Sequence, residues 1–84
     1  MEVTELSIYP NPSSDQLFIE HPNLESETVV IFVFDELGKQ VLMQTNNLRI
    51  VELPISTFPT GIYFIKVIYP SNDSLIFFGK FIKN

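Results

Sequence analysis

The sequence predicts an all-β protein, a small immunoglobulin-like antiparallel β-sandwich of about seven strands. Three observations lead there. Val, Ile, Phe, Tyr and Thr come in short blocks, and these are the residues that pack well on a pleated, half-buried surface. Pro, Gly, Asn, Asp and Ser gather between the blocks at regular intervals, as turn residues do. Inside the blocks the apolar positions recur at every second residue, the period of a strand, and a helical spacing of three and four is hard to place anywhere.

Strands are expected over residues 6–9, 16–20, 28–35, 40–44, 49–55, 61–69 and 74–83. In Gln16–Glu20 the polar ends share a face with Phe18, so Leu17 and Ile19 should point to the core. Val51, Leu53 and Ile55 form the next inner row. Pro54 lies among them, and because proline donates nothing to a ladder it marks an edge strand or a bulge. In the 61–69 block Lys66 identifies Ile62, Phe64 and Ile68 as outer and Tyr63, Ile65 and Val67 as inner. Residues 28–35 lack polar alternation, so that strand is expected at the centre with both faces covered. Phe18, Phe64 and either Phe32 or Val33 and Phe34 are left over on faces that a monomer would leave wet. Such a row is either a partner site or a surface that packs under a loop or a neighbouring domain.

Composition sets the outer limits. A chain of 84 residues makes one domain, and at this size only about 60–65% of the unfolded surface can be buried, so the core is thin. With 45% hydrophobic and 18% charged residues, the chain is too apolar to be disordered. It has no cysteine, which excludes disulfides and thiolate zinc sites. Ten acidic against five basic residues give a net charge of −5. The cations are scattered, which argues against nucleic acid and against an anionic membrane surface. The longest apolar run, residues 29–34, is far short of the roughly 20 residues a membrane helix needs. The basic-then-apolar pattern of a signal peptide does not follow Met1, and Met1 is expected to be an added start in front of a piece of a longer protein.

Catalysis finds little support. His21 is the sole histidine and is expected to be a solvated loop residue in a His21-Pro22-Asn23 turn. No phosphate-binding glycine loop and no histidine pair for a metal is present, so neither enzyme activity nor a cofactor is expected. Asp35 and Glu36 are adjacent, and adjacent strand residues point to opposite faces, so the two are badly placed to converge. Asn72-Asp73-Ser74 is read as a hairpin turn rather than a glycosylation acceptor.

The remaining motifs are corners and ends. Tyr9-Pro10-Asn11-Pro12 terminates the first strand, since each proline fixes its own φ and pushes the residue before it toward extended geometry. Ser13, Ser14 and Asp15 can then bond locally and turn the chain. Gly38, after Asp35-Glu36-Leu37, supplies the positive φ of a tight hairpin. Gly61 lets the chain bend out of Phe58-Pro59-Thr60 into a strand in which Tyr63 can bury its ring and send its hydroxyl to a backbone partner. The last strand ends in Lys80-Phe81-Ile82-Lys83. Basic residues there bracket an apolar pair, which either guards an exposed edge or forms a freely presented handle for a receptor, taken by strand addition or by a pocket.

The ordered set of Tyr9-Pro10-Asn11-Pro12, Gly38-Lys39, Gly61-Ile62-Tyr63-Phe64 and Lys80-Phe81-Ile82-Lys83 resembles the C-terminal sorting domain of type IX secretion (Por secretion system) cargo proteins, type A, from about residue 6 to residue 83. The resemblance implies a single sorting domain over 1–84 that follows a fused N-terminal cargo domain. It implies recognition through Lys80, Phe81, Ile82 and Lys83 by an outer-membrane translocon, with Pro10, Asn11, Pro12, Gly38, Gly61 and Tyr63 as motif and turn positions. A sortase-like signal peptidase would then remove the domain, and the cargo, having crossed the periplasm, would end at the cell surface or be released. The alternative is a carbohydrate-binding or structural immunoglobulin-like module of a surface protein.

Overall fold

The computed structural model describes residues 6–21, 28–70 and 76–84. Among them seven strands follow in order: β1 (Ser7–Tyr9), β2 (Gln16–Glu20), β3 (Val29–Phe34), β4 (Gln40–Asn46), β5 (Ile50–Pro54), β6 (Gly61–Ile68) and β7 (Ile76–Lys83). They form a three-stranded sheet, β1-β2-β5, and a four-stranded sheet, β4-β3-β6-β7. Every strand pair is antiparallel. This is the immunoglobulin-like sandwich that the residue pattern predicts. The expected start of the last strand at residues 74–75 lies outside the described residues, as do the Asn72-Asp73-Ser74 turn and Pro22-Asn23.

Alternation decides what the sandwich buries. Leu17 and Ile19 of β2 and Val51 and Leu53 of β5 face Val29, Ile31 and Val33 of β3, with Tyr63, Ile65 and Val67 of β6 and Phe77 and Phe81 of β7 completing the core. Each aliphatic side chain so enclosed is worth about 1.5–3 kcal/mol, and the small domain has few of them to lose. Pro54 ends β5, which is an edge strand of its sheet. The edge position is what makes a residue without an N–H tolerable there.

β3 corrects one expectation. It is central, lying between β4 and β6, but Val30, Phe32 and Phe34 on its outer face are only half-buried while Val29, Ile31 and Val33 are fully enclosed. A sandwich covers one face of each sheet, so central pairing does not imply two covered faces. Phe32 and Phe34 stack on each other on that outer side, and the Lys66 ammonium sits over both rings at 5.4 and 5.9 Å from their centroids.

His21 corrects another. It follows β2 directly and is buried, 1% exposed. Its Nε2 lies 2.9 Å from the Leu48 carbonyl, and its Nδ1 lies 2.7 Å from the Tyr69 hydroxyl. A carbonyl can only accept, so Nε2 donates and, in the neutral ring, Nδ1 accepts from Tyr69. The imidazole thereby joins the end of β2 to the β4–β5 loop and to the residue after β6. Sequence proximity to proline and asparagine suggested a wet turn; a tertiary partner for each ring nitrogen makes burial affordable.

Candidate functional site

The candidate site is the last strand and what holds it. β7 is an edge strand of the four-stranded sheet and pairs along its whole length with β6, with Tyr63 opposite Phe81, Ile62 opposite Ile82 and Gly61 opposite Lys83. Period two then divides the terminal motif. Phe81 and Lys83 point inward, and Lys80 and Ile82 point outward.

The inward pair belongs to the fold. Phe81 is fully buried and stacks on Tyr63 with ring centroids 5.3 Å apart, and Tyr63 in turn packs against Phe58 at 5.1 Å. Lys83 is 6% exposed. Its Nζ donates to the carbonyls of Phe58 at 3.1 Å and Asn84 at 3.2 Å, which keeps hydrogen bonds on an ammonium drawn out of water. The expectation of a freely presented tail is therefore corrected. Alternate residues of the tail are core residues, because a strand that completes a sandwich must contribute its inner face to the interior.

The Tyr9-Pro10-Asn11-Pro12 corner reaches the same strand. Asn11 Oδ1 accepts the amide of Ile82 at 2.9 Å, and its Nδ2 donates to the Lys80 carbonyl at 3.4 Å. The Ser13 amide donates to the Ile82 carbonyl at 2.9 Å, and the Asn84 amide donates to the Ser13 carbonyl at 2.8 Å. Ser13 and Lys83 form an isolated parallel bridge. Ser13 is itself buried and its hydroxyl donates to the Gln16 carbonyl, the local bond expected of a serine in this turn. Pro10 and Pro12 are exposed and bend the chain so that Asn11 and Ser13 run along the edge of β7. The first and last motifs of the sequence are one hydrogen-bonded unit in space.

Gly61 opens β6 with φ 159° and Gly38 turns the β3–β4 hairpin with φ 86°. In that hairpin Asp35 Oδ1 accepts the amides of Leu37 and Lys39, each at 2.9 Å. Tyr63 donates its hydroxyl to the Pro59 carbonyl four residues upstream, at 2.5 Å, the tyrosine corner of immunoglobulin-like sandwiches. Burial raises the Tyr63 pKa above its ordinary value, and the negative charges of Asp35 and Glu36 raise it further. A shallow depression of about 190 Å³ lies here, lined by Asp35, Glu36, Pro59 and Tyr63 among others. Of the two carboxylates in that lining, Asp35 Oδ1 is already engaged by the hairpin amides. Among the described residues no three His, Cys, Asp or Glu side chains come together to hold a metal.

Gly79 is a site residue that the sequence reading missed. A Cβ there would stand 2.4 Å from Ile8 Cδ1 and 3.3 Å from Leu6 Cδ1, so the absence of a side chain lets β1 close over β7. The signal was available: a lone glycine inside an aromatic strand block marks close approach of another segment. Asn11 as a partner of β7 had no such signal, since the two are far apart in sequence.

A corner of the Tyr-Pro-Asn-Pro type clamped to a terminal β-strand, in a sandwich of this size, defines a class of small β-domain whose ends are structurally coupled. Residues 7–84 match the family model described as secretion system C-terminal sorting domain, and the chain belongs to that family. It is a C-terminal sorting signal of type IX secretion. The chain is also 31% identical, over 99% of its length, to a protein named ulvan lyase NLR42 from Nonlabens ulvanivorans, of which it covers 15%. The chain thus spans about a seventh of the length of that relative.

Proposed function

We propose that this domain, of the type A kind, stands at the C-terminus of a longer cargo protein and is recognised in the periplasm by the type IX outer-membrane translocon through its last strand. Lys80 and Ile82 make the contact, and Phe81 and Lys83 hold the strand in the shape that is read. A sortase-like signal peptidase then removes the domain, and the cargo is left at the cell surface or released. The domain performs no chemistry of its own. The observation that carries this reading is the match of residues 7–84 to the sorting-domain family together with two outward side chains at the end of an edge strand.

The test is fusion of residues 1–84 to the C-terminus of an exported, folded reporter in a type IX-competent bacterium and in a strain lacking the translocon. Surface or medium delivery is expected only in the competent strain, with the reporter alone retained in the periplasm of both. Equal delivery in the two strains would refute the proposal.

A further inference from the structure

A receptor can take an edge strand in two ways, by adding a strand of its own to the free main-chain groups or by docking on the side-chain face. The structure distinguishes these modes at the end of β7. In an antiparallel ladder alternate residues turn both main-chain groups toward the partner strand and the residues between turn theirs away. Ile82 N, Ile82 O and Lys80 O are bonded to Asn11 and Ser13 rather than to β6, so these are the outward groups of the edge. Asn84 N is bonded to Ser13 O as well. From the Lys80 carbonyl to the Asn84 amide the edge is thus already engaged from within the domain.

The face is open. Phe64 lies beside Lys80, Ile62 beside Ile82 and Lys66 beside Phe78 on the outer side of the four-stranded sheet, and Phe78 is 71% exposed. The charged side chains that β3, β6 and β7 place on this face are Lys66 and Lys80, both cations, in a domain of net charge −5. Of the described carboxylates, Glu20 and Glu52 belong to the other sheet and Asp15 to the corner, while Asp35 and Glu36 of the β3–β4 hairpin border the face at Ile62. Among the described residues the one ion pair is Arg49 with Glu20, so neither lysine of the face is neutralised there. An exposed apolar field whose strands place only cations outward, at Lys66 and Lys80, is complementary to a protein surface that is apolar and carries carboxylates.

We propose that the protein partner reading the last strand docks face-on, placing an apolar, carboxylate-bearing surface against Lys80, Ile82, Phe64 and Phe78, and that the Asn11–Ser13 cap excludes strand addition at residues 82–84. This rests on the translocon reading above and specifies its geometry. Asn11 is a positioning residue that keeps the edge closed.

Two measurements test it. In the first, hydrogen exchange of the isolated 84-residue chain is followed by NMR. The Ile82 and Asn84 amides are expected to be protected, and Asn11→Ala is expected to speed exchange at Ile82 by about fivefold to tenfold, the effect of losing one hydrogen bond, with little change at Phe81. An Ile82 amide exchanging at the unfolded-chain rate in the wild type would overturn the cap, whatever any secretion assay shows. In the second, the reporter fusion carries K80E with I82T, two outward changes whose Tm is checked to be that of the wild type, or Asn11→Ala. Face-on docking predicts that the outward pair lowers delivery by about tenfold or more, as loss of a central anchor does, and that Asn11→Ala delivers no more than the wild type. Delivery unaltered by the outward pair, or raised by opening the edge, would overturn the proposal in favour of strand addition. A wild-type fusion that is not delivered would instead overturn the translocon reading itself, and the exchange result would still stand.

Discussion

Phe81→Ala separates a residue that is read from a residue that holds the fold. Phe81 is completely enclosed, stacks on Tyr63 and lies directly opposite it in the β6–β7 ladder. Truncating a buried phenylalanine costs about 3–5 kcal/mol, the lost transfer energy plus the cavity left behind. An 84-residue domain has a total stability of about 4–13 kcal/mol at the usual 0.05–0.15 kcal/mol per residue. The loss is therefore a large share of the whole. At about 4–8 °C per kcal/mol for a domain of this size, Tm should fall by about 12–40 °C. The assay is urea and thermal unfolding of the isolated chain followed by far-ultraviolet circular dichroism, with Phe81→Leu as the comparison. Leucine keeps most of the apolar volume and should recover more than half of the loss. A loss below about 1 kcal/mol for Phe81→Ala would refute the reasoning, because a fully enclosed ring cannot be truncated so cheaply.

Alkaline pH should weaken the domain through Tyr63. Its folded pKa is raised, by burial first and then by Asp35 and Glu36, so the protonated phenol is favoured in the folded state. The corresponding stability is fully present below the unfolded pKa of about 10 and is lost as pH rises through the higher folded value. Tyr63→Phe should flatten the fall in Tm above that pH, and an unchanged alkaline profile in the variant would contradict the assignment. His21→Ala should cost about 2–4 kcal/mol by urea unfolding, from the cavity and from the disrupted bonds to Leu48 and Tyr69. In a Tyr69→Phe background the cost should shrink by about 0.5–3 kcal/mol, the coupling expected of directly bonded neighbours; strict additivity would mean that the His21–Tyr69 bond contributes nothing.

Much of the architecture was legible without coordinates, and for one reason. Period-two alternation is a local property of extended backbone, so Gln16-Leu17-Phe18-Ile19-Glu20 declares its own inner face, as does Tyr63-Phe64-Ile65-Lys66-Val67. Turn chemistry is local too: Gly38 takes the positive φ that its hairpin needs, and the Tyr63 hydroxyl finds a carbonyl four residues back. The same alternation, applied through Phe81 and Lys83, would have placed those two side chains inside. The reading of a presented handle comes instead from the resemblance to sorting domains, which carries no information on which side chains of the strand face the interior.

The sequence by itself determined the sandwich, the strands, the inner rows of β2, β5 and β6, the turn at Gly38 and the resemblance that places the chain among sorting domains. Only the tertiary structure decided that His21 is buried against Tyr69, that Gly79 leaves room for Ile8, and that Asn11 and Ser13 close the edge of the final strand. Those facts depend on which segments meet after the two sheets stack. Contacts between residues some 70 positions apart leave no periodic trace in a single sequence, because each partner satisfies its local rules equally well without the other.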